Sequence, residues 1–288
     1  MDWNDLRFVL AVARQRTLAA AGQSLGVDPT TVGRRIISLE TALGARLYDR
    51  TGDGYLPTAA GHAAVARAEK MEQIALSLAD EIEGIDGRVA GPVQITALDA
   101  LFDAIVIPHV GALLGGYPEL ELTFSSAVAT ASLERREADV AIRTARPQEP
   151  YAVARHLGRA AMAAYVAVDR DFGPMPPLVG LPRSDDNSFS RALEALFPGS
   201  RVVVRANAER HMLSLVRAGA GVGLIDCFVG DRDPALRRVW DEPVSRYDLW
   251  AAVHVDMHKL PRVRVVMDFL SGIFAEERDR LEGMQASV

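Results

Sequence analysis

The feature that most constrains this 288-residue chain is a pair of short helical segments near the N-terminus, separated by a glycine and an Asp-Pro pair. Thr17 precedes the apolar-rich segment 18–25, where its hydroxyl can cap a helix, and Gly26 can end that helix in a left-handed conformation. Asp28 and Pro29 then begin another helix, because aspartate caps well and proline needs no N–H in the first turn. This order predicts a helix-turn-helix.

The helix that begins at Pro29 is predicted to end near Leu43, before Gly44. Its apolar residues recur at helical spacing and are expected to pack inward: Val32, Ile36, Leu39 and Leu43. Its N-terminal half instead carries Thr30, Thr31, Gly33, Arg34 and Arg35. Arginine can bond guanine bidentately, threonine offers a hydroxyl or a methyl group, and glycine allows close approach of the backbone. We therefore predict that this end enters the major groove of DNA.

An earlier helix and a later hairpin complete the predicted domain. Residues 6–13 have helical periodicity, with Asn4 as a candidate N-cap, and residues 47–56 are predicted to form two short strands around a glycine-rich turn, a wing. Arg50 in the wing suits a phosphate contact, and Thr17 is included among the predicted DNA-binding residues. The alternative is an ordinary small helical bundle whose arginines are solvated.

Charge and cysteine content limit the class of protein. Residues 1–60 hold seven arginines and six acidic residues, a net charge of +1, whereas the remainder carries −7. This excludes a broadly basic nucleic-acid coat but permits a local DNA-binding face. The single cysteine, Cys227, excludes an intrachain disulfide and favours a reducing compartment. The first residues lack the features of a signal peptide, and no uninterrupted apolar run is long enough for a membrane span, so we expect a cytoplasmic protein.

A long, alanine-rich helix is predicted from Thr58 to about residue 85. Along it, apolar residues spaced 4, 3, 4 and 3 form a seam that is typical of a dimerising helix pair: Met71, Ala75, Leu78, Ile82 and Ile85. The alternative is one helix packed on its own domain. The predicted domains are therefore 1–58 for DNA binding, 59–86 as a linker helix, 87–91 as a hinge, and 92–288.

The last two hundred residues alternate strands with helices, which favours a parallel α/β architecture. Strands are predicted at 93–98, 120–125 and 139–143, with helices at about 101–114 and around Leu133. The segments ALLGGYPELELTFS and READVAI are echoed about eighty residues later by ALEALFPGSRVVVRAN and RAGAGVGLI. This weak repeat predicts two lobes with a cleft between them, lobe I at 92–162 and 266–288 and lobe II at 163–265.

The ends of the predicted strands supply candidate effector-binding residues, because ligands of such sheets bind beyond the carboxyl ends of strands. These candidates are Leu98, Asp99, Ala100, Ser125, Ser126, Arg143, Thr144 and Asn207. Arg143 could pair with a carboxylate, whereas Asp99 would repel one and favours an amine-bearing or neutral ligand, or none. Each residue could equally belong to a surface loop or to lobe packing.

Other chemistry has little support in the sequence. His254 and His258 have metal-ligand spacing only if their segment is helical, but residues 249–255 are predicted to form a strand. Cys227 is interpreted as a packed thiol, since the chain has no resolving cysteine. No nucleophile elbow or P-loop is present. We expect no catalytic residues, no metal and no cofactor.

The stretch AAGQSLGVDPTTVGRRIISLETALGARLYDRTGDGYLPTAAG resembles the N-terminal signature of LysR-type transcriptional regulators. The matching positions are Arg34, the Leu39-Glu40 pair, the run 43–50 and the run 58–61. Pro29 and Gly33 depart from the glutamine and serine that are frequent in the family, which leaves the target sequence open.

The resemblance implies an α/β protein with an N-terminal winged helix-turn-helix, a linker helix and a C-terminal two-lobed, periplasmic-binding-protein-like effector domain. The implied partners are double-stranded DNA, a small-molecule effector and a second copy of the chain, as a homodimer or homotetramer. RNA polymerase is a further candidate partner, and a membrane is not. The competing hypothesis is a solute-binding protein or small enzyme of the same two-lobed fold, with the N-terminal helices as an accessory module.

Overall fold

The computed structural model describes residues 2–85, 88–126, 138–182 and 188–284. The chain divides into an N-terminal unit, Met1–Ile85, and a C-terminal unit, Asp86–Val288. The N-terminal unit consists of α1 (Asp5–Gln15), α2 (Leu18–Leu25), α3 (Pro29–Leu43), β1 (Tyr48–Thr51), β2 (Gly54–Pro57) and α4 (Ala59–Ile85). The predicted order of three helices, wing and long helix is therefore confirmed. The helix expected around Leu133, residue 86 of the expected linker helix and residue 87 of the expected hinge lie outside the described residues.

Local capping explains where these helices begin and end. The Thr17 hydroxyl accepts a hydrogen bond from the Ala20 N–H (3.2 Å), and the Asp28 carboxylate accepts one from the Thr30 N–H (2.8 Å). Gly26 and Gly44 end α2 and α3, both with φ of 66°. Asn4 occupies the predicted N-cap position of α1, but its side chain makes no capping hydrogen bond, and the Asp2 carboxylate accepts the Asn4 N–H.

The core of the N-terminal unit joins α1, α2, α3, β1 and the first half of α4. Its most buried side chains include Val9, Val12, Val32 and Leu39. Leu43 was expected to pack inward but is 46% exposed, because α3 extends past the edge of this core before Gly44 ends it.

The C-terminal unit is built on a seven-stranded sheet of order β10-β6-β11-β5-β3-β4, with β9 also paired to β6. Its strands are β3 (Gly91–Ala97), β4 (Leu120–Ser126), β5 (Val140–Arg143), β6 (Ala152–Ala167), β9 (Gly223–Asp226), β10 (Leu236–Arg238) and β11 (Ser245–His254). The predicted parallel pairing holds for β3 with β4 and β5. The other pairs are antiparallel, so the sheet is mixed. A second, parallel sheet pairs β7 (Leu178–Gly180) with β8 (Val202–Arg205).

Helices cover both sheets. Helix α5 (Asp99–Leu101) continues through a π-helical turn and a 3₁₀ turn into α6 (Val110–Gly116). The remaining helices are α7 (Ser188–Leu196), α8 (Glu209–Arg217), α9 (Cys227–Gly230), α10 (Pro261–Glu276) and α11 (Arg278–Leu281).

The helical run Asp99–Gly116 is long and apolar enough to cross a membrane by length and composition, with a mean hydropathy of 1.3. The expectation of no membrane span rested on the polar residues that interrupt such runs, here Asp103 and His109. In the structure, Leu101, Phe102 and Ile105 of this run are buried in the core of the C-terminal unit.

Two groups of buried side chains define two lobes in the C-terminal unit. The lobe 1 core joins β3, β5 and the run Asp99–Gly116 to β11 and α10, and the lobe 2 core joins the second half of β6 to β7, β9, α7 and α8. The predicted lobe boundary at residue 265 differs from this packing, because Leu249, Val253 and Val263 lie in the lobe 1 core. Strand β6 contributes to both lobes, and its pairing with β11 contains a bulge at Leu157, beside Gly158 with φ of 142°.

Candidate functional site

The N-terminal half of α3 presents a mixed set of the predicted DNA-binding residues. Thr30 and Arg34 are exposed, whereas Thr31 and Gly33 are half-buried. A Cβ atom at Gly33 would lie 3.3 Å from the Leu18 side chain, so this glycine also permits close packing of α2 on α3. Contact of Gly33 with DNA stays a prediction.

Two adjacent arginines on α3 have different surroundings. The Arg35 guanidinium donates to the carboxylate of Asp5 at 3.2 Å, and this carboxylate is buried on α1. Arg35 also lies 3.4 Å from the Asp2 carboxylate and over the Phe8 ring. Arg34 is exposed, and the described part of the chain offers its guanidinium no acidic partner. Arg35 therefore fixes α3 onto α1, while Arg34 is available to a ligand in solution.

The wing lies against the turn between α1 and α2. The Tyr55 N–H donates to the Arg16 carbonyl at 2.8 Å, and a Cβ atom at Gly54 would approach the same oxygen to 2.3 Å. Arg16 has φ of 58°, a conformation that non-glycine residues rarely adopt. As a result Arg16, Thr17 and Arg50 line one groove. Arg16 was not among the predicted DNA-binding residues, although its position immediately before the Thr17 cap was an available signal.

The predicted dimerisation seam on α4 is only partly described. Met71 packs against the core of the N-terminal unit, so it is not a free member of the seam. Ala75 and Leu78 are exposed, and the side chains of Ile82 and Ile85 lie outside the described residues. Ile74, which the seam omitted, is 68% exposed, and Leu78 is 57% exposed. These apolar side chains leave one stretch of α4 without a covering surface among the described residues.

A cavity of about 290 Å³ lies between the two lobes of the C-terminal unit. The sequence-predicted residues Leu98, Thr144 and Asn207 line it. The rest of the lining is Met162, Val179, Gly180, Leu181, Leu193, Glu209, Met212, Leu224, Asp226 and Tyr247. The wall is therefore mainly apolar, with a few polar groups, as in ordinary small-molecule sites.

The other predicted effector residues lie elsewhere. Asp99 and Ala100 line a second cavity of about 300 Å³, between α5 and α8. The Asp99 carboxylate accepts a hydrogen bond from the Ser126 hydroxyl and lies 3.4 Å from the Arg210 guanidinium of lobe 2. Neither Ser125 nor Ser126 is part of the described lining of either cavity.

Arg143, which could pair with a carboxylate ligand, is engaged within the chain in this structure, and its role in ligand binding stays a prediction. Its guanidinium donates to the Glu149 carboxylate at 3.1 Å, and the residue does not line either of the two cavities. Arg143 therefore binds a carboxylate of its own chain.

A buried carboxyl pair is the main polar feature of the inter-lobe cavity. Glu209 begins α8 and Asp226 ends β9, and the Tyr247 hydroxyl donates to Asp226 at 2.7 Å. Burial, and then the charge of Asp226, raise the pKa of Glu209, and burial also raises the pKa of Asp226. The two carboxyl groups therefore share a proton near neutral pH. The strand-end rule that selected Asn207 would also have selected Asp226, which ends the strand GLID.

Cys227 lies in the core, and His254 lies at the end of the strand that was predicted for residues 249–255. Cys227 is fully buried, and burial raises the pKa of its thiol to about 11, so the packed-thiol interpretation is confirmed. His254 ends β11 and lies 3.4 Å from Asp256. Across the described ranges, no group of three His, Cys, Asp or Glu side chains is placed to hold a metal ion.

The geometry agrees with comparisons to known proteins. Residues 3–62 match the family described as "Bacterial regulatory helix-turn-helix protein, lysR family", and residues 86–274 match the "LysR substrate binding domain". The Mau operon transcriptional activator of Paracoccus denitrificans is 27% identical over 289 residues, which cover 96% of this chain and 98% of the relative.

Solved structures show the same fold. A full-length variant of OxyR from Pseudomonas aeruginosa aligns with a TM-score of 0.65 at 18% identity, covering 98% of each chain. Full-length AphB of Vibrio cholerae aligns with a TM-score of 0.58 at 19% identity, covering 94% of this chain and 99% of the other. LysR-type regulators are not enzymes; they bind DNA and small-molecule effectors and form oligomers. With a helix-turn-helix domain and a substrate-binding effector domain, this chain belongs to the LysR family of transcriptional regulators.

Proposed function

We propose that this regulator binds its operator as a homodimer, with α3 in the major groove, and that a small molecule in the inter-lobe cavity changes its affinity for DNA. The observation that carries the proposal is the contrast between Arg34 and Arg35. Arg35 is held by Asp5 of the same chain, whereas Arg34 is exposed next to Thr30 and Thr31. Arg34 is therefore the candidate for bidentate readout of guanine, with the threonines beside it.

Phosphate contacts would fix the orientation of the domain on the duplex. Arg16, Thr17 and Arg50 share the groove between the α1–α2 turn and the wing. Their grouping supports a role in backbone binding, which contributes affinity without sequence preference.

Dimerisation through α4 is supported by the exposed apolar side chains of Ile74, Ala75 and Leu78. A partner helix would bury this surface and place two copies of α3 on successive half-sites. The same hypothesis includes assembly of the dimer into a homotetramer, contact of the regulator with RNA polymerase and a cytoplasmic location.

A ligand can change DNA affinity only if it binds one arrangement of the protein more tightly than another. The inter-lobe cavity supports such a mechanism, because Leu98 and Thr144 of lobe 1 and Met212 and Leu224 of lobe 2 line it together. Movement of one lobe relative to the other would change the contacts of any ligand bound there.

The test begins with genomic fragments recovered by the purified protein and compares Arg34→Ala with Arg35→Ala. Arg34→Ala should weaken binding to the selected fragment by about 1–3 kcal/mol relative to random DNA, with an unchanged melting temperature. Arg35→Ala should lower the melting temperature, because it leaves the buried Asp5 carboxylate unpaired. An unchanged ratio of specific to non-specific affinity in Arg34→Ala would overturn the assignment of α3 as the helix that reads the DNA sequence.

A further inference from the structure

We propose that the inter-lobe cavity binds a compact organic amine, with its ammonium group on Glu209 and Asp226 and its apolar body against the lobe 2 wall. This inference rests on the proposed function, in which that cavity is the effector site. It adds the chemical class of the ligand.

The charge of the lining is the first argument. The described lining contains two carboxyl groups and no lysine, arginine or histidine. An acidic ligand would bring a further negative charge into a buried site without a counter-ion, which is strongly unfavourable. An ammonium group would instead supply the positive charge that this wall lacks.

Unsatisfied hydrogen-bonding capacity is the second argument. The Oε1 atom of Glu209 is buried and has no hydrogen-bond partner in the described part of the chain. Asp226 is 4% exposed and accepts hydrogen bonds from the Tyr247 hydroxyl and from the protonated Glu209 carboxyl group, and its two oxygens have further acceptor sites. An ammonium group carries three N–H donors and can bond both carboxylates at once. A neutral hydroxyl has one donor and no charge, so it satisfies the pair less well.

The size and the walls of the cavity define the rest of the ligand. Its volume of about 290 Å³ is at the lower end of ordinary ligand sites. Apart from the carboxyl pair, its walls are largely aliphatic, with Met162, Val179, Leu193, Met212 and Leu224. These walls favour a short alkyl or single-ring body over a sugar or a nucleotide.

Protonation of the pair supports the same ligand class. The pKa of Glu209 is raised to about 9 and that of Asp226 to about 6, and the carboxylates of Asp99 and Asp103 add to the shift of Glu209. Near neutral pH the pair therefore carries one negative charge, which matches one ammonium group. The Tyr247 hydroxyl stays protonated, because burial raises its pKa well above the usual value.

The experiment titrates the full-length protein at pH 7.5 with benzylamine, benzyl alcohol and benzoate, monitored by ligand-observed NMR. These probes share a ring and differ in the head group. Benzylamine should bind at least about 10-fold more tightly than benzyl alcohol, the typical effect of a hydrogen bond to a charged group. Benzoate should show no saturable binding.

Isosteric variants identify the groups responsible. The double variant Glu209→Gln, Asp226→Asn should bind benzylamine no better than benzyl alcohol. Asp248→Asn is the matched control, because it removes a carboxylate that pairs with His156 on the surface and does not line the cavity. This control should keep the preference for the amine, and melting curves confirm that each variant is folded.

Three results would each overturn the proposal: benzoate binding as tightly as benzylamine, an amine preference that survives in the double variant, or no saturable binding of any probe. The DNA measurement on Arg34→Ala needs no ligand and separates the two hypotheses. Loss of DNA discrimination in Arg34→Ala with no amine preference in the cavity rejects only the ligand class. An amine preference in the cavity, together with unchanged DNA discrimination in Arg34→Ala, rejects only the role of α3 in DNA reading.

Discussion

The two units of this regulator place charge in opposite ways. In the N-terminal unit, Arg34 and Arg50 are exposed and carry no acidic partner among the described residues. In the C-terminal unit, Glu209 and Asp226 are buried against each other at the wall of a cavity. Exposed cations attract a polyanion over several ångströms and remain sensitive to salt. Buried carboxyl groups act only on a ligand that enters the site, and they act on its charge directly.

The same contrast is repeated between neighbours within each unit. Arg35 is held by Asp5 while Arg34 is not, and Asp99 pairs with Arg210 while Glu209 has an unpartnered oxygen. The side chains that pair internally fix helices and lobes. Those that do not are the candidates for ligand contact.

The largest expected effect tests whether the two units unfold independently. Leu39→Ala removes a fully buried side chain from the core of the N-terminal unit and should cost about 2–5 kcal/mol of its stability. Ile37→Ala, on the same helix but 64% exposed, is the matched control and should change little. Calorimetry should show the transition of the N-terminal unit shifted and that of the C-terminal unit unchanged. A shift of both by equal amounts would show one cooperative unit.

The next effect is a pH dependence of opposite sign in the two units. The raised pKa values of Glu209 and Asp226 mean that the folded C-terminal unit binds protons that the unfolded chain releases. Their contribution to stability is therefore present at low pH and is lost as the pH rises from about 4 to about 9. The carboxylates of Asp99 and Asp103 add to the raised pKa of Glu209, and the Tyr247 hydroxyl donates to Asp226.

The contribution of Asp28 to stability depends on pH with the opposite sign. Hydrogen bonds from Thr30 lower the pKa of Asp28, so its contribution in the N-terminal unit is lost as the pH falls. A Trp3→Phe variant leaves tryptophans 240 and 250 as fluorescent reporters of the C-terminal unit. Its melting temperature should be higher at pH 5.5 than at pH 8.5, and Glu209→Gln should flatten that difference. A melting temperature that rises from pH 5.5 to pH 8.5 would contradict the raised pKa values of Glu209 and Asp226.

A smaller effect concerns the exposed cations. Arg50→Ala should weaken binding to every DNA sequence similarly and reduce the slope of log affinity against log salt concentration by about 1, because one phosphate contact is lost. A fluorescence-anisotropy titration at several salt concentrations measures both quantities. A change confined to the selected operator would instead make Arg50 a base-reading residue.

The smallest effect concerns the ion pair across the lobes. Asp99→Asn removes the charge that faces Arg210, and both side chains are largely exposed, so the stability of the C-terminal unit should fall by about 0.2–1 kcal/mol. Denaturant unfolding, with Arg210→Gln as the reciprocal variant, measures this difference. A loss of several kcal/mol would indicate a structural role that solvent does not screen.

The helices and caps of the N-terminal unit could be predicted because their signals are local. Thr17, Gly26, Asp28 and Gly44 act within one or two turns of the chain, and the structure places each as expected. The signature from Arg34 to Gly61 identified the family for the same reason.

What the sequence did not reveal depends on contacts between distant residues. Arg35 binds Asp5 thirty positions earlier, so periodicity alone cannot separate it from Arg34. Met71 packs on the N-terminal core, which a heptad pattern cannot distinguish from a dimer seam. The carboxyl pair could not be predicted from local patterns, because Asp226 ends a strand and Glu209 begins a helix, and only the folded structure brings them together. The strand-end rule was also incomplete, because only two of the three candidate strand ends of lobe 1 reach the cavity.

Strand β6 has a mechanical consequence for signalling. It runs without interruption from the lobe 1 core to the lobe 2 core, hydrogen-bonded to β11 along most of its length. Rotation between the lobes cannot be taken up here by slack polypeptide. The paired strands must instead change their twist where β6 passes from Ala160 of the lobe 1 core to Ala161 of the lobe 2 core. A bound effector would thus act on this domain as a torsion of small angle along a continuous hydrogen-bonded ladder.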